Sequence, residues 1–413
     1  MTSDLDVVVI GAGAAGLAAA RAAQESGLAF VLIEASGRAG GRAFTDRTSF
    51  GAPFDDGCHW LHSASVNPFT ALADRYGFGY RRAVGQRRIH DGAGWLSGRR
   101  FARAAGFIDE AFAAVHAAGA AGRDIAAAAA VDGSSPHARL FHRSFTGYMA
   151  AEPELVSVFD TSRYRDTGEN WPVTDGFGAL VLRHGVGLPI ALDCPATAID
   201  WSGRRLSVTT ARGTLTARAV ILTPSTGVLA AGRIRFTPAL PAWKQEAIAA
   251  LPMGSANKIA FAFATNPFGD VVPHFALLDG AGDQGAAIYI DPPRRPQATL
   301  FLGGAEARAL ELAGPAAMLD HGRERLAAMF GADILRRITA SRSTAWQGDP
   351  WFAGAYAVTR PGRGEAREAL IRPVEDRLFF AGEAASLDSF STAHGAHLSG
   401  IAALAATRAA LGR

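Results

Sequence analysis

The stretch from Val7 to Glu34 constrains the fold of this chain more than any other. An apolar run, Val7–Ile10, ends at the small-residue turn GAGAAG that spans Gly11–Gly16. A helical pattern of small residues follows, and a second apolar run, Phe30–Ile33, closes on Glu34. This order predicts a strand, a tight glycine turn, a helix and a second strand parallel to the first.

The turn and the acid together predict a site for a dinucleotide. Gly11 permits the turn, Gly13 lets the backbone approach a pyrophosphate, and Gly16 lets the helix lie close to the sheet. The N-terminus of that helix offers free N–H groups and a partial positive charge to phosphates. Glu34 is placed to bind ribose hydroxyls, and its charge argues against a ribose 2′-phosphate. The pattern alone leaves open which dinucleotide is bound.

Composition narrows the class of protein further. A chain of 413 residues is long enough for two or three domains with large cores. Its net charge is only +3 and its arginines are scattered, so the sequence predicts no nucleic-acid partner. Cys58 and Cys194 are far apart, which favours free thiols in a reducing compartment. With no signal peptide and no membrane-spanning apolar run, we expect a cytoplasmic protein without a membrane contact.

A glycine-rich loop after the second strand carries a family resemblance. Its pattern, Glu34-Ala35-x-x-Arg38-x-Gly40-Gly41-Arg42, resembles the second FAD signature of the flavin amine oxidases. That superfamily also includes protoporphyrinogen oxidases and carotenoid desaturases. One departure is Ser36, where many members carry an arginine that contacts the nucleotide. The resemblance implies FAD and an α/β fold, in which a Rossmann-type FAD-binding domain is interleaved with a second α+β substrate domain containing a mixed or antiparallel sheet.

The segment from Asp55 to Pro68 resembles polyamine oxidases more closely. Its G-x-x-W-x-H motif, Gly57 to His62, is followed by Asn-Pro as in those enzymes. The resemblance implies that Trp60 borders the flavin and that His62 faces the substrate amine. The alternative for His62 is a structural histidine that is satisfied by a hydrogen bond.

The middle of the chain carries weaker signals. Between Tyr80 and Asp175 only the alanine-rich stretch Ala111–Val131 stands out, as a covering helix or a lid, and we assign it no chemistry. Leu192–Ile199, Leu206–Thr210 and Ala219–Leu222 are predicted as strands. The resemblance implies that the last of these strands returns to the nucleotide-binding domain and that Ala196 lies along the adenine.

Lys258 and Tyr356 are the next candidates for chemistry. The chain has two lysines, Lys244 and Lys258, and Lys258 matches a family P-x-G-x-x-x-K pattern that implies a water held against flavin N5. A solvated lysine at a strand edge is the alternative.

Tyr356 follows a W-x-x-D-P motif and would place an aromatic ring beside the amine, or else pack in a core. Monoamine oxidases carry a flavin-linked cysteine just before this tyrosine; Ala355 stands here, which implies non-covalent FAD.

The stretch Leu378–Gly400 is the strongest match in the chain. It resembles the polyamine oxidase ending F-A-G-E followed by S-T-x-H-G-A-x-x-S-G, and it begins a helix near His394. A helix N-terminus directed at the flavin stabilises the negative charge of the reduced ring. Thr392 has two interpretations that do not exclude each other, a substrate contact and an N-cap of this helix.

The resulting hypothesis is an FAD-dependent amine oxidase. It oxidises the C–N bond of a polyamine-like or other primary or secondary amine to an imine and then an aldehyde, while O₂ is reduced to H₂O₂. The expected FAD-binding domain comprises residues 1–80, 175–245 and 372–413, and the substrate domain 81–174 and 246–371. No metal ion is expected, and the oligomeric state is left open.

Expected site residues follow from the motifs above. The residues at the reacting end are Lys258, Tyr356, His62, Trp60 and Thr392. The cofactor contacts are Gly11, Gly13, Ala14, Ala15, Gly16, Glu34, Ala35, Gly41, Arg42, Gly57, Cys58, His59, Trp60, Ala196, Gly382, Glu383, Thr392, Ala393 and Ala396.

Three alternatives remain open. An amino-acid oxidase would need an arginine for the substrate carboxylate, and a desaturase or porphyrinogen oxidase would handle a large apolar substrate. A non-catalytic FAD-binding protein would have no reason to keep His62, Lys258 and Tyr356 together. Polyamine recognition would require carboxylates along a tunnel, for which Asp160, Glu169 and Asp388 are the candidates.

Overall fold

The computed structural model describes residues 5–82, 86–269, 274–280, 285–291 and 296–413. The strands in these ranges are β1 (Leu5–Ile10), β2 (Phe30–Ile33), β3 (Thr45–Asp46), β4 (Phe54–Asp55), β5 (Trp60–His62), β6 (Gln86–His90), β7 (Asn170–Pro172), β8 (Ile190–Ala191), β9 (Ala196–Asp200), β10 (Leu206–Thr210), β11 (Gly213–Leu222), β12 (Arg235–Thr237), β13 (Ala256–Phe263), β14 (His274–Leu278), β15 (Ala286–Asp291), β16 (Gln297–Gly303), β17 (Ile338–Ser343) and β18 (Leu378–Phe380). The α-helices are α1 (Ala14–Glu25), α2 (Pro68–Tyr76), α3 (Gly98–Ala120), α4 (Ala138–Met149), α5 (Val158–Ser162), α6 (Phe177–His184), α7 (Thr226–Ala230), α8 (Ala242–Ala250), α9 (Gly304–Ala313), α10 (Pro315–Phe330), α11 (Ala366–Ile371) and α12 (Ala393–Ala410).

The predicted strand, turn, helix and strand form at the N-terminus. β1 and β2 pair in parallel, with Val7 opposite Phe30, and α1 begins within the glycine motif, at Ala14. Val7, Val8 and Val9 are fully buried, because helices or loops cover both faces of a parallel sheet. α1 packs along α12, and the contact is close because Gly400 has no side chain: a Cβ there would lie 2.1 Å from the Ala15 carbonyl oxygen.

β1 lies inside a sheet built from distant parts of the chain. Its strand order is β12-β9-β10-β11-β1-β2-β8, and β18 also pairs with β11. β1, β2, the end of β11 and β18 run parallel, so the loops after all four reach the same edge. Ligands of open α/β sheets bind at that edge. The re-entry of the Ala219–Leu222 strand beside β1 is confirmed, as the end of the longer β11.

The predicted strand Leu192–Ile199 is correct only from Ala196 onward. The chain forms β8, which ends at Ala191 and pairs with β2, and then β9, which starts at Ala196 and pairs with β10. Between them Asp193 adopts a left-handed backbone (φ 51°) and Pro195 has no N–H to give to a ladder. The Cys194 N–H instead donates to the Glu34 carbonyl at 2.8 Å, which brings this break against the predicted ribose acid.

The second sheet is mixed, as expected. Its strand order is β17-β13-β16-β15-β14-β6, with every pair antiparallel except β14 with β6. α9 and α10 cover one side of this sheet, and α3 and α4 contact its strands β6, β15 and β16.

The alanine-rich stretch Ala111–Val131 is not one helix. α3 begins earlier, at Gly98, and ends at Ala120, before Gly122 turns the chain with φ 79°. Gly119 lies against α5, where a Cβ would meet the Val158 carbonyl oxygen at 2.0 Å. No helix in the described part of the chain is both long and apolar enough to cross a bilayer.

Candidate active site

The glycine turn closes on itself at the edge of the first sheet. Gly11 has φ 99°, and a Cβ at Gly16 would overlap the Gly11 carbonyl oxygen at 1.7 Å. Gly16 therefore serves the closure of the turn and does not line the cavity described below. Gly13 is different, since its Cβ would meet only the Gly41 Cα, at 4.0 Å. Space beside Gly13 is what a pyrophosphate needs.

Glu34 is oriented by its neighbours in the turn and the following loop. Its carboxylate accepts hydrogen bonds from the Ala12 N–H (2.7 Å) and from both the N–H (2.9 Å) and the hydroxyl (2.8 Å) of Ser36. Ser36 was noted only as a departure from the family pattern. The structure shows that it fixes the acid, a role that the resemblance did not suggest.

Arg42 and Glu383 connect the two ends of the chain. The Arg42 guanidinium donates to Glu383 Oε1 at 3.0 Å and to the Ala355 carbonyl at 2.5 Å. Glu383 in turn accepts from the Ala357 N–H at 3.1 Å. Both backbone neighbours of Tyr356 are thus held by one ion pair, which places this tyrosine relative to the glycine-rich loop.

Lys258 projects from β13 towards the loop that begins at Asp55. Its ammonium donates to the carbonyl oxygens of Asp55 (2.7 Å) and Gly57 (2.5 Å) and lies 3.1 Å from His59 Nδ1. Burial lowers the pKa of Lys258 to about 8, partly offset by the charge of Asp55. Burial also raises the pKa of the Cys58 thiol to about 12. Cys58 therefore remains an uncharged thiol at neutral pH.

His62 is a partly buried, neutral imidazole. Its Nδ1 lies 2.5 Å from Asn170 Oδ1, and these two residues are also paired in register across β5 and β7. Burial lowers the pKa of His62. Because an amide oxygen only accepts, Nδ1 carries the hydrogen and Nε2 keeps its lone pair for another partner.

Aromatic rings cluster around Trp60, two residues before this histidine. The Trp60 ring lies 5.8 Å from Phe275 and 4.9 Å from Tyr289 between centroids. The Tyr356 hydroxyl donates to the Tyr148 carbonyl at 3.1 Å, and burial raises the pKa of Tyr356. Tyr356 therefore keeps its proton and presents a neutral ring.

Thr392 is the N-cap of α12. Its hydroxyl accepts from the Gly395 N–H at 3.0 Å and donates to the Ser389 carbonyl at 2.6 Å. The hydrogen bonds therefore support the capping interpretation. Thr392 also lines the cavity.

One cavity of about 1320 Å³ joins all these parts. Every predicted site residue except Gly16 lines it, from Glu34, Ala35 and Ala196 at one end to Trp60, Lys258 and Tyr356 at the other. A pocket for one small molecule usually measures about 300–1,000 Å³. The cavity is larger, and its open glycine edge, oriented acid and helix N-terminus match the parts of a dinucleotide. The residues present therefore fit FAD together with a second small molecule.

The far part of the cavity is lined by residues that the sequence reasoning missed. They come from the stretch between Tyr80 and Asp175, to which no chemistry was assigned, and from β14: Phe101, Ile108, Asp109, Phe112, Tyr148, Tyr164, Asp166, Phe275 and Leu277. The apolar face of α3, with a residue every three or four positions, was the available signal, but a core helix shows the same pattern.

None of the three candidate carboxylates lines the cavity. Asp160 is fully buried and bound to Arg367 at 2.9 Å, and Glu169 accepts from the Ser65 N–H. The acid that does line the cavity near His62 is Asp166, which is exposed. Among the described residues, no cluster of three His, Cys, Asp or Glu side chains is placed to hold a metal ion.

Comparison with known proteins gives evidence on the family of this chain that does not depend on the geometry of the cavity. The family model described as flavin containing amine oxidoreductase matches residues 14–121 and 130–406. Polyamine oxidase 4 of Oryza sativa subsp. japonica is 30% identical over 441 residues, covering 96% of this chain and 87% of that protein. Lysine-specific histone demethylase 2 of Homo sapiens is 26% identical over 96% of this chain, which spans only 52% of that protein.

Solved structures show the same fold. Cyclohexylamine oxidase from Brevibacterium oxydans IH-35A has a TM-score of 0.84 at 22% identity, with both chains fully covered. Putrescine oxidase bound to putrescine has a TM-score of 0.80 at 19% identity, covering 99% of this chain and 100% of that one. The expected α/β architecture with a second, mixed-sheet unit is confirmed.

Proposed function

Because this chain belongs to the family of flavin containing amine oxidoreductases, we propose that the end of the cavity bounded by Trp60, His62, Lys258 and Tyr356 is where its amine substrate reacts. The protein is an FAD-dependent amine oxidoreductase, and the proposal concerns the placement of the chemistry within it. The observation that supports it is the continuity of one cavity from the dinucleotide turn to these four side chains.

When bound, FAD would supply the oxidising chemistry, as the acceptor of a hydride equivalent from the carbon next to the amine nitrogen, and the imine product would hydrolyse to an aldehyde. The residues proposed to hold FAD are those of the dinucleotide turn, the glycine-rich loop and the two ends of the cavity: Gly11, Gly13, Ala14, Ala15, Glu34, Ala35, Gly41, Arg42, Gly57, Cys58, His59, Trp60, Ala196, Gly382, Glu383, Thr392, Ala393 and Ala396. With Ala355 before Tyr356, FAD is held without the covalent bond of monoamine oxidases. We assign these residues to a domain of segments 1–80, 175–245 and 372–413, and the substrate side to 81–174 and 246–371.

His62 and the aromatic side chains hold the amine in its neutral form. His62 Nε2 has a free lone pair and accepts a hydrogen bond from an amine N–H. The Tyr356 and Trp60 rings favour a cation on arrival and form an apolar wall once the amine has lost its proton. An amine in this site loses a proton without a dedicated strong base, because desolvation disfavours its charged form.

Lys258 holds a proton and a water at the reacting end. Its Nζ contacts two backbone carbonyls and, at the longest distance, His59 Nδ1, so a water at the reacting end would share or replace the contact with His59. The N-terminus of α12, capped by Thr392, presents its free N–H groups where Ala393 and Ala396 line the cavity. A positive helix end there stabilises negative charge on a bound ring.

We also propose O₂ as the electron acceptor, with H₂O₂ as its product, and a reducing, cytoplasmic setting, supported by the free thiols of Cys58 and Cys194.

A second candidate function is amino-acid oxidation, which Arg87 favours because it lines the cavity. Arg87 is bound to Asp109 at 2.8 Å, so its charge is already matched and less available to a substrate carboxylate.

The test is reduction of the purified yellow protein without oxygen. Polyamines, monoamines and amino acids are added separately, and bleaching of the flavin absorbance is followed. We expect bleaching by amines and not by amino acids. Peroxide should appear when air is admitted, whereas reoxidation only by an added dye would indicate a dehydrogenase. Bleaching by amino acids alone would favour the second candidate, and bleaching by no compound would contradict the amine assignment.

A further inference from the structure

One face of α3 forms a continuous apolar wall of the cavity. Phe101, Ala105, Ile108 and Phe112 all line it and follow one another at intervals of four, three and four residues, which is the spacing of a single helix face. Phe275 and Leu277 also line it and are two residues apart on β14, therefore on the same side of the strand, and Leu277 shares a hydrophobic cluster with Ile108. These six residues are called the α3 chamber.

The α3 chamber has a near end and a far end relative to the reacting centre. The Phe112 ring lies 6.2 Å from that of Tyr148, whose carbonyl holds the Tyr356 hydroxyl. The Phe275 ring lies 5.8 Å from Trp60. Phe101 is eleven residues before Phe112 on the helix, so the wall extends about 16 Å beyond Phe112 at 1.5 Å per residue.

Charges along the chamber are already paired. Asp109 is the acid on this part of α3, and its carboxylate is bound by Arg87 at 2.8 Å. Elsewhere among the described lining residues, Asp56 is bound by Arg342 and Glu383 by Arg42. Asp166 is exposed to solvent and lies at the reacting end, near His62, Tyr148 and Tyr164, outside the six residues of the chamber. Among the described residues of the chamber, a second ammonium would therefore find no free carboxylate.

We propose that the α3 chamber binds the hydrocarbon body of the substrate, so that the preferred substrates are amines with one nitrogen and a long alkyl or arylalkyl chain. The proposal rests on the proposed function, since the amine end must lie at Trp60, His62 and Tyr356. Each methylene that enters the chamber should tighten binding by a factor of about four. A second ammonium at the far end must be desolvated without a partner, which should weaken binding by at least about 100-fold.

Binding and turnover are measured on two series of compounds. The first is n-alkylamines from butylamine to decylamine, compared with α,ω-diamines of equal length in kcat/KM. The second is tert-alkylamines, whose carbon next to the nitrogen carries no hydrogen and which therefore cannot be oxidised; their Kd is measured by calorimetry on the FAD-loaded enzyme. We expect kcat/KM and affinity to rise with chain length, and each diamine to be at least about 100-fold poorer than its monoamine.

A matched pair of substitutions tests the position of the tail. Ala105 lines the chamber about 10 Å along α3 from Phe112, whereas Ala102 is exposed on the same helix. Ala105→Leu should lower kcat/KM and affinity for decylamine-length chains about 10-fold or more and leave butylamine unchanged. Ala102→Leu adds the same volume outside the cavity and should change neither.

The outcomes separate the two proposals. Length-dependent binding of tert-alkylamines without bleaching by any oxidisable amine would support the tail site and contradict the proposed function. If diamines bleach the flavin at least as efficiently as monoamines, and Asp166→Asn abolishes bleaching by diamines, the tail site is wrong. The proposed amine oxidation would then still hold. Equal effects of Ala105→Leu on short and long chains would also overturn it.

Discussion

The two lysines of the chain have similar hydrogen-bond partners but lie in different parts of the fold. Both are buried, and both give their hydrogens to backbone carbonyls. Lys244 donates to three carbonyls at the end of α11, those of Ala369 (2.9 Å), Leu370 (2.6 Å) and Arg372 (2.6 Å), and caps that helix. Lys258 has only two carbonyl partners and His59, and it alone of the two lines the cavity.

The comparison shows that burial and a perturbed pKa do not mark a site by themselves. Burial lowers the pKa of Lys244 to about 7 and that of Lys258 to about 8. On that measure Lys244 is the more perturbed group, yet neither Lys244 nor any of its three carbonyl partners lines the cavity. Access to the cavity is what separates a lysine that can do chemistry from one that closes a helix.

Lys258→Met should have the largest effect on turnover. The proposed water at Nζ is lost, and flavin reduction and reoxidation should slow by about 10- to 100-fold, the lower range for a positioned group. Stopped-flow absorbance measures both rates, and Lys244→Met is the matched control that removes the same charge outside the cavity. Unchanged rates in Lys258→Met would exclude the role.

The pH profile sharpens this prediction. Below about pH 8 the Lys258 ammonium repels a cationic substrate, and above it the neutral amine does not. We therefore expect kcat/KM to rise between pH 7 and 9 more steeply in the wild type than in Lys258→Met. The part of the rise that comes from deprotonation of the free amine should be common to both. Parallel profiles would show that Lys258 does not titrate in this window.

Lys244→Met should affect stability and not rate. At pH 9, where Lys244 is a neutral amine with two N–H groups, the substitution removes both donors from the buried carbonyls, so the free energy of unfolding should fall by about 1–3 kcal/mol. Urea unfolding followed by circular dichroism measures it, and flavin reduction should stay within error of the wild type. A slower reduction in a fully folded Lys244→Met enzyme would break the distinction between the two lysines.

The sign of the pH dependence gives a second measurement on Lys244. Its pKa in the folded state, about 7, lies below the ordinary value of 10.5, so between these values the unfolded chain binds more protons and stability rises with pH. Below pH 7 both states are protonated and the cost of burying the charge is fully present. The loss caused by Lys244→Met should therefore be smaller at pH 6 than at pH 9.

The sequence allowed prediction of the cofactor end because its signals are local. The turn at Gly11–Gly16 and the acid Glu34 belong to one continuous strand-helix-strand unit, and the helix at Thr392 begins with its own capping residue. Each of these features depends on backbone conformation within a few residues. The break at Asp193 was missed, because apolar residues on either side of it hid the left-handed turn.

The substrate end could not be predicted in the same way. Phe112, Tyr148 and Phe275 come from α3, α4 and β14, and nothing in their local patterns separates a residue that faces a cavity from one that faces a core. The acids show the same limit: Asp160 pairs with Arg367 inside the protein, whereas Asp166, six residues later, lines the cavity. Only the packing of distant segments decides between them.

Thr392 caps α12, which is a local feature of the sequence, and it also lines the cavity. Its substitutions should have the smallest effects on stability and turnover. Thr392→Val keeps the shape but removes the hydroxyl that caps α12, so the free energy of unfolding should fall by about 1 kcal/mol. The KM for an amine should change by less than about threefold, because this hydroxyl has one lone pair left to offer. Thr392→Ser keeps the cap and should match the wild type in urea unfolding. If Thr392→Val instead keeps full stability and raises KM about 10-fold, the hydroxyl acts on the substrate and the capping interpretation is wrong.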